Sequence, residues 1–339
     1  MEQKVDDSRE ALAHYFPEGG FEVEPITTGF SHTTLLVKAP SGSSILRIYL
    51  HHAPLEKIKQ EHELLDQLNA QKGLSFQFPK VIPSVKGETI IKLSSGMHAT
   101  LFERIPGSSP DFLNLEHWKS MGRATGEVLK VFEGVKVEGP SLATGLEMLY
   151  NFFSPCNREE FLEQVKCPAF VQSEGVELIL KELDILEKAL ASMRLPTQVI
   201  HGDLHTNNFL VADGKVSGIV DLEISKSAWR VMDVATAITN FGTATDWMSC
   251  VDAFAAGFCE EGELTEEELK TLPLVMKTRF VTAFMGTLGW YSREKSEKPL
   301  FICSFTLQMA TKVISWVNES GEAITQAFAT RMKNSRKEK

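Results

Sequence analysis

The chain carries the run His201-Gly202-Asp203-Leu204-His205-Thr206-Asn207-Asn208-Phe209-Leu210-Val211, and a second apolar run closes on Ile219-Val220-Asp221-Leu222-Glu223. Polar side chains at that spacing, set between two β-prone apolar segments, are poor core material. They read as loops that present groups to a cleft. Phosphoryl transfer asks for few such groups. One carboxylate accepts or orients the proton of an attacking hydroxyl, oxygen ligands hold Mg²⁺ on the nucleotide phosphates, and a cation faces those phosphates. Asp203, Asn208 and Asp221 are of the right types for the first two tasks. The bland alternative is a polar surface loop with chance spacing.

Upstream of this stretch the pattern changes twice. Asp7 to Phe16 predicts a short amphipathic helix. Phe21 to Ile26, Thr33 to Lys38 and Ser44 to Leu50 predict strands, the last two joined as a hairpin by Pro40-Ser41-Gly42-Ser43. Leu55 to Gln71 has helical spacing, Gly73 to Pro83 reads as a loop with extended pieces, and Thr89 to Leu93 and His98 to Ile105 predict two more strands. Pro106-Gly107-Ser108-Ser109-Pro110 is the clearest break. Beyond it the periodicity predicts helices over Leu115–Phe132, Glu174–Met193, Trp229–Asn240, Cys250–Glu260, Thr265–Tyr291 and Pro299–Glu319, with a β-like island at Val199–Val220. The expected division is therefore a sheet-rich lobe at residues 1–105 and a mainly helical lobe, carrying the 201–223 stretch, at 106–339.

With 339 residues the chain is long enough for two lobes, each with its own core. The formal net charge of −10 argues against a nucleic acid or an anionic membrane as partner and mildly favours a neutral or cationic small molecule. Apolar runs such as Phe280–Tyr291 read as too short to span a bilayer. Cys156, Cys167, Cys250, Cys259 and Cys303 form no C-x-x-C pair and are odd in number, which favours reduced thiols over a disulfide scaffold or a zinc site. MEQKVDDSRE lacks an apolar signal core, so the expected location is cytoplasmic. The basic tail Arg331–Lys339 reads as a frayed, solvated end.

At these residues the sequence resembles the aminoglycoside phosphotransferase/choline kinase superfamily, relatives of protein kinases, over roughly residues 20 to 320. The catalytic loop of that family, H-G-D-x-x-x-x-N, is matched by His201 to Asn208, and its metal loop by Val220-Asp221-Leu222-Glu223. The resemblance implies an α+β, two-lobed protein kinase-like fold and an ATP-dependent kinase acting on a small-molecule hydroxyl with Mg²⁺. It implies Asp203 as catalytic base, Asn208 and Asp221 as metal ligands, and Glu223 as a further group for metal or substrate. His201 and Asp233, the latter in Arg230-Val231-Met232-Asp233-Val234-Ala235, are implied as supports of the catalytic loop. In the first half, Gly29 and Ser31 fall in the nucleotide loop and Arg47 on the strand that carries the phosphate-binding cation. Glu61 takes the place of that cation's partner, and Glu103 and Ile105 lie in the linker whose backbone binds adenine.

The pattern is departed from at Arg47, where protein kinases use lysine, and at His32, where many relatives have asparagine. Both bear on the choice between ATP and GTP. Some residues have a plainer reading as well. Glu61 could lie on a solvated helix face with Glu63 as the true partner, Asp233 could serve only the helix dipole, and His205 could merely pack its loop. Trp229, Trp290 and Tyr291 read as packing residues more than as a cation cage. The Thr27–Tyr49 stretch and Leu264–Arg279 resemble the homoserine kinase-like branch, which implies an amine-bearing acceptor. The alternatives are an aminoglycoside-type antibiotic kinase, a protein serine/threonine kinase and a non-catalytic nucleotide-binding module. A protein kinase is disfavoured by the absence of a long activation-loop-like segment after Glu223.

Overall fold

Alternating apolar residues in the first hundred positions become an antiparallel sheet, and the 3.6-residue periodicity beyond them becomes helices. The computed structural model describes residues 2–26, 32–50, 53–153, 156–170, 172–239 and 246–338. The elements in chain order are α1 (Glu2–Ala13), β1 (Glu22–Ile26), β2 (Thr33–Ala39), β3 (Gly42–Tyr49), α2 (Leu55–Asn69), β4 (Val81–Ile82), β5 (Ile91–Lys92) and β6 (His98–Glu103). Then come α3 (Leu115–Glu133), α4 (Gly145–Asn151), α5 (Arg158–Gln164), α6 (Glu174–Leu190), β7 (Thr197–Ile200), β8 (Phe209–Ala212), β9 (Lys215–Ile219) and β10 (Lys226–Trp229). The chain ends with α7 (Val231–Ala237), α8 (Trp247–Glu261), α9 (Glu266–Glu294) and α10 (Glu297–Glu338). By contacts it divides into two units, Met1–Ser109 with Asn207–Glu223, and Pro110–Thr206 with Ile224–Lys339.

In the first unit the strand order is β1-β2-β3-β6-β4, with β5 also on β6, and every pairing is antiparallel. Alternation along β3 buries Leu46 and Ile48 in a core shared with Val37, Ala99, Leu101 and, from α1, Ala11 and Leu12. Arg47, between them, faces the other side of the sheet by the same alternation. On α2 the buried stripe is Ile58, Glu61, Leu64, Leu65 and Leu68, so Glu61 occupies an apolar position on the helix. Glu63, two residues on and so about 200° round the helix from Glu61, is exposed.

The segment Asn207–Glu223 groups with this sheet unit, which the expected split at residues 105 and 106 did not anticipate. The reason is a set of backbone hydrogen bonds. Gln77 N–H donates to Ser217 C=O and Ile219 N–H donates to Gln77 C=O, both at 3.0 Å. Ser108 and Val211 exchange two more, at 3.0 and 2.8 Å. Gly218 lets the linker approach, because a Cβ there would lie 2.6 Å from Ile105 Cγ2.

The second unit is mainly helical, with β7 and β10 forming a short antiparallel ladder in register Ile200↔Lys226 and Trp229↔Thr197. Trp229, expected to start a helix, ends that ladder, and the helix begins at Val231. Its indole donates to Ala143 C=O at 2.9 Å and its side chain is fully buried, a packing role. Two short helices, α4 and α5, went unread in the periodicity. The basic tail also departs from expectation: α10 runs unbroken for 42 residues to Glu338. Ala310, Val313, Ile314, Val317, Ile324 and Phe328 bury one face of it. Near its end Arg331 Nε donates to Asp252 at 3.1 Å and Ser335 Oγ to Cys259 C=O at 2.8 Å. By length and composition alone α10 could cross a bilayer; in this structure one face of it packs on α8 and α9. The five cysteines are thiols, three of them buried.

Candidate active site

In the first unit one arginine contacts two carboxylates, and a third, Glu223, adds to the negative charge around it. Arg47 Nη1 donates to Glu61 Oε1 at 3.0 Å and stands 3.4 Å from Asp221 Oδ1. The Tyr49 hydroxyl takes the other oxygen of Glu61, Oε2, at 3.0 Å. The guanidinium also lies over the Tyr49 and Phe102 rings, 5.9 and 5.6 Å from their centres. Burial pulls the Arg47 cation down, but Asp221 and Glu61 more than restore it, and its affinity for the proton ends above the ordinary arginine value. Burial pushes the Glu61 carboxyl up, Arg47 opposes this, and the negative charges of Asp221 and Glu223 add to the rise. Tyr49 is likewise raised by burial beside Glu61.

A hairpin places the metal-type ligands. In the β8–β9 ladder Phe209 faces Ile219, so the residues just outside it, Asn208 and Val220, are also opposite one another. Val220 N–H donates to Asn208 C=O at 2.9 Å, which fixes Asn208 and Asp221 at the same end of the hairpin. Asp221 has φ 71°, a left-handed conformation that aspartate tolerates better than most residues. Glu223 is hydrogen-bonded to His32 Nε2. Leu50 N–H donates to His32 Nδ1 at 3.4 Å, so in the neutral ring Nε2 carries the proton that faces Glu223. Asn208 can present its amide oxygen and Asp221 and Glu223 their carboxylate oxygens, and hard oxygen donors suit Mg²⁺. Among the described residues no three His, Cys, Asp or Glu side chains converge as a complete metal cage. Mg²⁺ takes one or two carboxylates from protein and completes its shell from phosphate and water. Three carboxylates around one arginine leave an excess of negative charge that a divalent cation would offset.

Of the other expected nucleotide contacts, Glu103 ends β6, with its N–H on Lys80 C=O at 2.8 Å, and Ile105 is buried against Gly218. Gly29 and Ser31 lie outside the described residues.

In the second unit the catalytic-type loop leaves β7 at His201. Asp233, the third residue of α7 and fully buried, accepts from two successive backbone groups: His201 N–H on Oδ2 at 2.8 Å and Gly202 N–H on Oδ1 at 2.9 Å. Burial raises the Asp233 carboxyl, against the pull of His201 and those two N–H donors. Asp203 N–H in turn donates to His201 Nδ1 at 3.3 Å. Gly202 has φ 82°, and a Cβ there would meet Ile224 C=O at 3.0 Å, so the sharp turn into Asp203 requires glycine.

Asp203 is held from the side by a residue the sequence did not single out. Arg279, on α9, donates from Nη2 to Asp203 Oδ1 at 2.7 Å, while His205 Nε2 stands 3.4 Å from Oδ2. His205 thus lies against the carboxylate and does more than pack its loop. Burial pushes the Asp203 carboxyl up, but His205, Arg279 and His201 outweigh it and hold the group below the usual carboxylate range. The one available signal for Arg279 was an arginine inside the buried stripe Val275, Met276, Thr278, Val281, Thr282.

The profile of the phosphotransferase enzyme family matches residues 22–270. The homoserine kinase of Methylobacillus glycogenes is 22% identical over 271 residues, covering 79% of this chain and 80% of the relative. Among solved structures, that of the microcompartment-associated aminopropanol kinase aligns with a TM-score of 0.73 at 18% identity, over 95% of this chain and 98% of that one. The amicoumacin kinase in complex with AMP-PNP, Ca²⁺ and Ami aligns with a TM-score of 0.65 at 18% identity, over 92% and 93%. These structural likenesses establish a kinase-like α+β fold. Since the profile match takes in every strand from β1 to β10 and the whole of the 201–223 stretch, this chain belongs to the phosphotransferase enzyme family, as an ATP-dependent kinase acting on a small-molecule hydroxyl.

Proposed function

We propose that this kinase transfers the terminal phosphoryl group of magnesium ATP to the hydroxyl of a small acceptor that also carries an amine, of the hydroxy amino acid or amino alcohol type. The observation that carries the reading is the setting of Asp203, a carboxylate gripped by Arg279 on a loop whose backbone is pinned by Asp233. Asp203 receives the proton of the acceptor hydroxyl as its oxygen bonds to the terminal phosphorus. The bond from that phosphorus to the bridging oxygen breaks, and its electron pair leaves with ADP. Asn208 and Asp221 would hold Mg²⁺, which supplies charge neutralisation on the phosphates when bound. Arg47, steadied by Glu61, would face the same phosphates, and the backbone of Glu103–Ile105 would take the adenine. Glu223 serves the metal or the acceptor's ammonium.

Support for the amine comes from the homoserine kinase and aminopropanol kinase likenesses, whose acceptors carry one by name. The net charge of −10 assists a cationic acceptor only weakly. The test is an ADP-release screen over matched amino and deamino alcohols, hydroxy amino acids and aminoglycosides. Turnover confined to small hydroxylated amines supports the reading. Equal turnover of the deamino compounds removes the amine from it, and labelling of a serine-bearing protein alone replaces it with a protein kinase.

A further inference from the structure

None of the roles proposed for this kinase uses Arg279, although its guanidinium touches the carboxylate at the centre of the reaction. The side chain is 10% exposed, and three contacts of different kinds fix it. Nη2 donates to Asp203 Oδ1 at 2.7 Å, Nε donates to Thr236 Oγ1 at 3.2 Å, and the guanidinium carbon lies 4.5 Å from the centre of the Phe153 ring. A buried guanidinium is costly unless such partners satisfy it, and burial does pull Arg279 below its ordinary value. Thr236 is itself locked, its hydroxyl donating to Met232 C=O at 2.8 Å. The short helix α7 therefore supports Asp203 twice. Asp233 on its first turn fixes the loop backbone, and Thr236 one turn later fixes the arginine that grips the side chain.

We propose that Arg279 is a positioning residue for the catalytic carboxylate: by engaging Oδ1 it sets the rotamer of Asp203 and turns Oδ2, which His205 Nε2 approaches at 3.4 Å, toward the acceptor's hydroxyl. This rests on the reading of Asp203 as proton acceptor. The charged groups that face Asp203 are Arg279 from α9, His201 and His205 from its own loop, and Asp233 from α7. The three basic groups lower its proton affinity and Asp233 raises it. A carboxylate of low proton affinity orients the hydroxyl and takes its proton late, which suits the loose transition state of phosphoryl transfer.

The test compares Arg279→Met, which removes the charge at similar length, with Arg279→Lys, which keeps it. Steady-state kinetics are run across pH, and nucleotide affinity is measured by calorimetry. Arg279→Met should lower kcat by about 10²-fold, the scale of a misplaced catalytic group, with nucleotide affinity unchanged. The acid limb of its kcat profile should move to higher pH, and Arg279→Lys should recover part of both effects. In an Asp203→Asn background Arg279→Met should add little. Wild-type kcat and an unmoved acid limb in Arg279→Met, in an enzyme that Asp203→Asn disables, would overturn the inference and leave the reading of Asp203 standing. An active Asp203→Asn enzyme would remove that reading itself. Should Arg279→Met fail to fold, Thr236→Val decides, since it frees Nε and keeps the charge. A fall in kcat without change in nucleotide affinity supports the role, and full activity overturns it.

Discussion

Two arginine–carboxylate pairs, one in each unit, use the same chemistry to opposite ends. Glu61 is 3% exposed and both its oxygens are taken, one by Arg47 and one by Tyr49. Asp203 is 27% exposed, and Arg279 holds one of its oxygens. Burial and the neighbouring charges of Asp221 and Glu223 raise the Glu61 carboxyl, whereas His205, Arg279 and His201 depress that of Asp203. The first cluster is poor in positive charge and the second rich in it. An arginine next to a carboxylate therefore says little by itself. The ratio of cations to carboxylates and the exposure of the side chain separate a structural clamp and metal cradle from a group able to take a proton.

The strongest way to break this comparison is Asp203→Asn, which keeps the size of the side chain and removes its charge. kcat should fall by roughly 10²–10⁴-fold, with ATP affinity little changed. A variant within about twofold of wild type would place Asp203 outside the chemistry. Next in size is Asp221→Asn, chosen because asparagine also tolerates the φ of 71° at that position. It should lose on the order of 10²-fold or more in turnover at limiting Mg²⁺, in keeping with the loss of a charged group at the phosphates, and should show weakened Mn²⁺ binding by electron paramagnetic resonance. Unaltered Mn²⁺ binding would remove the metal assignment. A smaller effect is expected from the Arg47→Ala and Glu61→Ala cycle. Each change should weaken nucleotide binding, and the pair should couple by about 1–3 kcal/mol as residues in direct contact do. Strict additivity would mean that Glu61 does not act through Arg47.

Much of this was legible in the sequence because it is local. The catalytic loop is read from His201 to Asn208 and the metal loop from Val220 to Glu223, each a short consecutive run, and the α2 stripe assigns Glu61 over Glu63 once the period is counted. The helices α4 and α5 carried a readable signal too, the capping boxes Thr144 with Glu147 and Asn157 with Glu160, but each is only seven residues long and shows no periodicity. What escaped was non-local. The bonding of Gln77 and Ser108 to the 207–223 hairpin joins segments far apart in the chain. The grip of Arg279 on Asp203 spans 76 residues, and no pattern within α9 names its partner. The basic end of α10 reads in sequence as a frayed tail because its anchor is non-local too: the Arg331–Asp252 pair, across 79 residues, ties that end down.

The smallest expected effect separates the two pairs by sign. The folded-state proton affinity of Asp203 lies below the unfolded aspartate value of about 3.9. As pH falls through and below that value the unfolded chain binds the proton first, so the stability contributed by Asp203 is present above it and is lost in acid. Glu61 behaves in reverse. Its folded-state value is raised above the unfolded glutamate value of about 4.3, so the folded protein holds the proton longer. Its contribution is greatest in acid and is lost as pH rises through the raised value. Glu61→Gln should therefore make stability rise more steeply with pH in the weakly acidic range, and Asp203→Asn should make it rise less steeply at the acidic end. Urea unfolding midpoints for wild type and both variants, taken across roughly pH 3 to 6, read the two slopes directly. If both substitutions shift the slope in the same direction, the contrast between a buried, cation-poor clamp and a cation-rich reactive carboxylate is wrong for one of the two pairs. The variant with the unexpected sign identifies which.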